Sequence, residues 1–184
     1  DACPVKDEIY RVAERHGAHV RVVSNDIFRV PVSQRVKRVV VSDGFDVYIS
    51  PLLERAGILD HVSVHSNSLS WNGHSFTPSF PGASESCSCF CASCKRNAML
   101  AVLADDDAAI YVGDGRSDTC AVQYADVVFA KGTLAAFCTA QKIPHHHFRS
   151  LQEVRIMLQK RFETMDFPRR RQAALARKRA FEAE

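Results

Sequence analysis

The chain has 184 residues, 46% of them hydrophobic, and a formal net charge of +3, which together describe one enzyme-sized domain with material for one packed core. The small charge excess argues against a nucleic-acid partner, and no apolar run approaches the roughly 20 residues of a membrane span. Asp1-Ala2-Cys3-Pro4-Val5-Lys6 lacks the basic-then-apolar order of a secretory signal, so the expected location is cytoplasmic.

Apolar residues at Ile9, Tyr10, Val12 and Ala13 predict a helix over 5–16 that stops at Gly17. A β-branched strand follows over 19–24. Val20-Arg21-Val22-Val23-Ser24-Asn25 is echoed 18 residues later by Arg38-Val39-Val40-Val41-Ser42-Asp43, so a second strand is expected over 36–42. After Ser42 comes Gly44, and a helix is predicted over 47–56, with Pro51 tolerated near its first turn and Gly57 ending it. Short strands are expected over 62–65, 69–71 and 74–77, the last two joined by the hairpin signal Asn72-Gly73. Pro78, Pro81 and Gly82 close that region. Downstream, helices are predicted over 97–103, 117–124 and 133–141, and strands over 110–113, 127–130 and 145–148. Ser150 and Glu153 form a capping box for a helix to about residue 162, and Pro168 separates it from a basic helix. Strands alternating with helices imply an α/β fold, a three-layer, doubly wound and mostly parallel sheet, with a small hairpin and Cys-rich insertion at about 61–95. The expected division is a core over 1–162 and a basic helical tail over 163–184, whose arginines, from Arg169-Arg170-Arg171 to Arg177-Lys178-Arg179, lie on a solvated face.

Ligands of open α/β sheets collect at the carboxyl ends of strands. Ile110-Tyr111-Val112-Gly113-Asp114-Gly115-Arg116-Ser117-Asp118 is an apolar strand running into a glycine-loosened turn with two carboxylates four residues apart. Asp114 is a hard oxygen ligand suited to Mg²⁺, and Asp118 would support it. Arg116 is placed to touch a ligand from the same loop. Ser42, with Asp43 and Gly44, leaves the end of another strand beside a helix start, where a hydroxyl and free N–H groups can bind phosphate. Lys95 precedes a helix and can set an ammonium against an anion.

These residues resemble the haloacid-dehalogenase-like (HAD) hydrolases, in particular their phosphoserine-phosphatase-like branch, over about residues 36–160. Val39-Val40-Val41-Ser42-Asp43-Gly44-Phe45-Asp46 looks like that family's second motif, Cys94-Lys95 like the third, and Gly113 to Asp118 like the fourth. The resemblance implies a Mg²⁺-dependent phosphomonoesterase acting on a small phosphorylated metabolite, with Ser42, Lys95, Asp114 and Asp118 as catalytic residues and Ser42, Asp43, Gly44 and Lys95 around the substrate. The family's Asp-x-Asp-Gly nucleophile motif is not found in this sequence, so an enzyme is expected only if that segment lies outside the chain. The alternative is a catalytically silent relative that binds a phosphate ligand or a partner, with a structural zinc.

Cys87-x-Cys89-x-Cys91-x-x-Cys94 offers four soft ligands in one compact run, suited to Zn²⁺. Reduced structural cysteines and a redox pair are the other readings of the same spacing. His145-His146-His147 is expected at a strand-loop junction, since consecutive strand residues alternate faces. A homo-oligomer remains open.

Overall fold

The computed structural model describes residues 36–84, 91–164 and 167–182. The predicted helix over 5–16 and the echo strand over 19–24 lie outside these residues, as do Cys87 and Cys89. The chain is α/β, with two three-stranded sheets. Val39–Phe45 (β1) pairs in parallel with Ser63–Trp71 (β2), and β2 pairs antiparallel with Phe76–Ser79 (β3). The second sheet is parallel throughout: Ile110–Gly113 (β4), then Val127–Ala130 (β5), then His146–His147 (β6). Among the described residues no ladder joins β1 to β4, so the single sheet expected from the sequence is two.

Helix α1 (Asp46–Arg55) follows β1 directly, one residue earlier than predicted, so Pro51 falls beyond its first turn. The link between them is not a simple turn. The β1–β2 register shifts between Val41 and Phe45, a bulge that lifts Ser42-Asp43-Gly44 out of the ladder. Three hydrogen bonds hold this stretch: Gly44 N–H donates to Ser42 Oγ at 3.1 Å, Asn67 Nδ2 to the Asp43 carbonyl at 2.8 Å, and Leu69 N–H to Asp46 Oδ1 at 3.1 Å.

The three short strands predicted over 62–77 become one long and one short. β2 pairs with β1 over its first half and with β3 over its second, so the hairpin runs on past β1. Its turn is one residue later than the Asn72-Gly73 signal implies. Asn72 N–H donates to the Ser75 carbonyl at 3.2 Å, Gly73 takes φ +97°, and Asn72 Oδ1 accepts from His74 and Ser75. Gly73 and His74 are thus the loop residues, with glycine where a positive φ is required.

Helix α2 (Lys95–Leu100) starts at the lysine, two residues before the predicted start. The helix predicted over 117–124 is replaced by two 3₁₀ turns, Arg116–Asp118 and Ala121–Tyr124. The Asp118 carboxylate takes local N–H groups, and Thr119 Oγ1 donates back to the Arg116 carbonyl at 2.8 Å, both competing with helix growth. Helix α3 (Gly132–Ala140) and helix α4 (Leu151–Thr164) lie close to their predicted spans. The Ser150 box forms in part: Glu153 N–H donates to Ser150 Oγ at 3.3 Å, while the Glu153 carboxylate accepts from Arg149 N–H at 2.8 Å.

All four residues of β5 are buried. Val128 and Ala130 join a core cluster with Val122, Leu134 and Cys138, and Val127 and Phe129 join another with Phe148, Val154 and Leu158. A strand apolar on both faces is what a parallel strand covered on both sides needs.

The last helix, α5 (Arg171–Glu182), is only half the solvated face expected. Ala173 is fully buried, and Arg177 reaches Asp126 at 2.9 Å. Arg171, Lys178 and Arg179 point to solvent. No helix among the described residues is long and apolar enough to cross a membrane.

Candidate functional site

Asp118 is the centre of the predicted site, and it is 5% exposed. Its carboxylate accepts four hydrogen bonds. Lys95 Nζ at 2.7 Å and the Tyr111 hydroxyl at 2.8 Å reach Oδ1, and the N–H groups of Asp114 at 3.0 Å and Gly115 at 2.9 Å reach Oδ2. Burial alone would raise its pKa. Burial is the largest single influence, but the Lys95 hydrogen bond, Gly115 N–H, the Lys95 charge and Tyr111 together outweigh it and hold the carboxyl below its ordinary value. Tyr111 goes the other way. Burial, then the neighbouring Asp118 charge, pushes its phenol far above the usual range, so it stays a hydrogen-bond donor.

Gly113 makes this arrangement possible by close approach. A Cβ on it would stand 2.6 Å from Asp118 Oδ2 and 2.8 Å from Cγ, inside contact distance. Gly115, by contrast, has φ −108°, which any residue adopts. Gly132, at φ +55°, opens α3 where the Asp114 carbonyl accepts from Leu134 N–H and Thr133 Oγ1, each at 3.1 Å. The β4 loop is therefore tied to α3 as well as to α2.

Lys95 also donates to Ser117 Oγ at 2.8 Å. An ammonium has three N–H groups, so one remains beyond these two contacts. The Lys95 side chain is 12% exposed, and its partner Ser117 lines an open cleft of about 630 Å³. Asp43 and Cys91 line that cleft from the β1 bulge and the loop before α2; Arg116, Ser117 and Thr119 line it from the β4 loop, and Thr133 from α3. Its size is that of a small-molecule site. Asp43 Oδ1 accepts Ser93 N–H at 3.0 Å, which joins the two loops across the mouth. Arg116 is exposed, with no ion pair among the described residues.

The structure thus brings together Asp43, Lys95 and Asp118 from three separated stretches. Ser42 is beside them, but its hydroxyl closes its own turn onto Gly44. Asp114 stands apart from Asp118: its side chain is 64% exposed and 3.9 Å from Lys131. The expectation of a magnesium-binding phosphatase is corrected at this point. Among the described residues no three His, Cys, Asp or Glu side chains gather as a metal ion would need. The Asp118 lone pairs are taken by Lys95, Tyr111 and backbone N–H groups, and Asp114 faces solvent. A four-cysteine zinc site depends on Cys87 and Cys89, outside the described residues; Cys94 is 2% exposed before α2, and its N–H donates to the Gly82 carbonyl at 2.6 Å. The histidine run divides as expected of a strand-loop junction. His145 Nδ1 is 2.9 Å from the Ile143 carbonyl and His146 Nε2 is 2.9 Å from Arg161, while His147 is exposed.

Tyr111 and Ser117 were not singled out as site residues in the sequence, although both lie in the conspicuous loop. A second buried carboxylate, Asp126, was missed altogether. Its signal is faint: one charge between Ala125 and the wholly apolar Val127-Val128-Phe129-Ala130.

Residues 1–62 match the model of an uncharacterised family, DUF188 (YaiI/YqxD family). The chain is 72% identical over 46 residues to a UPF0178 protein of Sphingopyxis alaskensis, covering 25% of this chain and 30% of that protein. It is 52% identical over 62 residues to a UPF0178 protein of Nitrobacter winogradskyi (34% of this chain, 40% of that protein) and 56% identical over 62 residues to one of Azorhizobium caulinodans (34% and 39%). The chain therefore spans two fifths or less of the length of these relatives. This overturns the resemblance to the HAD hydrolases and the phosphatase activity, or silent phosphate-binding relative, that it implied. Residues 39–46, which carried the supposed second motif, fall within the stretch matched by that family model.

Proposed function

We propose that the cleft between the β1 bulge and the β4 loop binds a small organic molecule through a carboxylate group. The observation that carries this is Arg116: an exposed guanidinium on the cleft wall, without an ion-pair partner among the described residues. A guanidinium presents a planar fork of donors matched to two oxygens of an oxyanion. Beside it, Ser117 Oγ is already oriented by Lys95, so its own O–H can turn outward to the cleft. Thr119 and Thr133 add hydroxyls, and Asp43, on the same cleft, suits a donor group on the ligand. The Lys95 charge is largely balanced by Asp118, which keeps the floor rigid and leaves Arg116 as the principal cation. The reading is of a binding site, with no bond-breaking step.

Calorimetric titration of the full chain with malonate tests it, with inorganic phosphate as the comparison. Malonate binding is expected, weakened about 10- to 100-fold by Arg116→Ala, the range for a lost charge-assisted contact. No heat with malonate up to about 10 mM, tighter binding of phosphate than of malonate, or binding untouched by Arg116→Ala, would overturn it.

A further inference from the structure

The charges on the cleft are divided between its walls. Arg116, on the β4 loop, is the only cation among the described lining residues, and Asp43, on the β1 bulge, is the only carboxylate. Neither forms an ion pair among the described residues, so guanidinium and carboxylate border one space of about 630 Å³ without closing on each other. The neutral donors follow the same division, with Ser117 and Thr119 in the turn that carries Arg116. Ala92 and Phe137 add apolar surface.

Asp43 is held in place through its side chain and its backbone. Oδ1 accepts Ser93 N–H at 3.0 Å, and the Asp43 carbonyl accepts from Asn67 Nδ2 at 2.8 Å, a side chain with no exposure. A backbone N–H satisfies one oxygen but brings no positive charge. Oδ2 has no hydrogen bond among the described residues. A carboxylate already fixed in this way loses little freedom when it meets a cation.

We infer that the ligand of this cleft is an amino carboxylate, whose carboxylate meets Arg116 and whose ammonium meets Asp43; the inference rests on the reading of Arg116 as a carboxylate anchor. Charge decides among ligands that share that anchor. A simple monocarboxylate leaves Asp43 uncompensated, and a dicarboxylate sets a like charge against it. A zwitterion answers both walls and adds no net charge to a cleft whose two lining charges already cancel. The methylenes between its ends have the Ala92 and Phe137 surface to rest on.

Malonate and β-alanine are close in size, and β-alanine carries an aminomethyl group, protonated at neutral pH, where malonate has its second carboxylate. Calorimetric titration of the full chain with both, and with propionate and N-acetyl-β-alanine, tests the inference. β-Alanine is expected to bind at least about 10-fold more tightly than malonate or propionate, and N-acetylation, which removes the ammonium charge, should abolish that advantage. Asp43→Asn keeps an acceptor for Ser93 N–H and removes the charge. With an unchanged far-ultraviolet circular dichroism spectrum, it should weaken β-alanine about 10- to 100-fold and tighten malonate, reversing their order. Malonate bound through Arg116 with β-alanine no tighter would overturn the inference and leave the carboxylate reading standing, as would a β-alanine advantage that survives N-acetylation or Asp43→Asn. No heat with any of these ligands up to about 10 mM would overturn both.

Discussion

Two buried aspartates eight residues apart, Asp118 and Asp126, solve the same problem with different outcomes. Each accepts four hydrogen bonds. Asp126 takes Ala109 N–H at 2.9 Å and Arg177 Nη1 at 2.9 Å on Oδ2, and Arg170 N–H at 3.0 Å and Arg177 Nη2 at 3.3 Å on Oδ1. The same arginines extend to the carbonyls that end the second 3₁₀ turn: Arg170 to Val122 at 3.3 Å and Gln123 at 3.2 Å, Arg177 to Tyr124 at 2.6 Å. Everything around Asp126 points inward, and its side chain has no exposure. Around Asp118 the partner is a lysine with a donor to spare, bonded to Ser117 on the wall of a cleft. A planar guanidinium locked on both oxygens makes a clasp between the last helix and the core; an ammonium touching one oxygen leaves a charged floor under an open space. The same residue type is thus a rivet at one end of the turn region and a support beneath an open cleft at the other.

Removing Asp126 should separate the two most sharply. Asp126→Ala leaves Arg177 buried without its counter-charge and α5 without its clasp, and a loss of about 3–5 kcal/mol in denaturant unfolding is expected, the range for a broken buried pair. A loss below about 1 kcal/mol would mean that α5 is not fastened through this residue.

Asp118→Asn should cost less, about 2–3 kcal/mol, because the Lys95 side chain is 12% exposed and keeps its Ser117 partner. It should also change the acid response. The folded-state pKa of Asp118 is lowered, so its contribution is complete above the unfolded carboxylate value of about 3.9 and is lost as pH falls through the folded value. Wild-type stability should therefore fall more steeply below about pH 4 than that of Asp118→Asn. Parallel slopes would show that the carboxylate is not tied to Lys95 as described.

Gly113→Ala should be milder, about 1–3 kcal/mol in the same unfolding measurement, as its Cβ drives the carboxylate off the Asp114 and Gly115 N–H groups. Gly115→Ala is the matched control. There the Cβ lies 3.7 Å from Asp118 Oδ2, an ordinary contact, and the change should stay within about 0.5 kcal/mol.

Much of this was legible in local pattern. The apolar run 127–130 is a strand at the predicted residues, and the wholly buried environment explains why no alternation appears in it. Gly113-Asp114-Gly115 with Asp118 was recognisable as a polar, hydrogen-bonded loop after an apolar strand, because glycines and paired carboxylates there demand local partners. Lys95, expected before a helix, is the first residue of α2 and spends its charge on Asp118. What the pattern did not convey was the direction of each carboxylate. Asp114 and Asp118 are alike in sequence, but one is exposed and the other is spent on four donors from three elements, which is why metal ligation was expected of both. Basic spacing in the last helix likewise said solvent, because nothing local in Arg177 announces a carboxylate 51 positions earlier.

The sequence by itself determined the α/β alternation, the hairpin, the buried β5 strand and the location of a polar loop at a strand end, since each depends on periodicity or on glycine and proline chemistry within a few residues. Tertiary structure alone decided that there are two sheets, that Asp126 clasps α5, and that Lys95 neutralises Asp118 and leaves Arg116 facing the cleft. Those outcomes rest on contacts between groups far apart in the chain, where the low dielectric of the interior rewards each charge only for the particular partner that the fold brings to it.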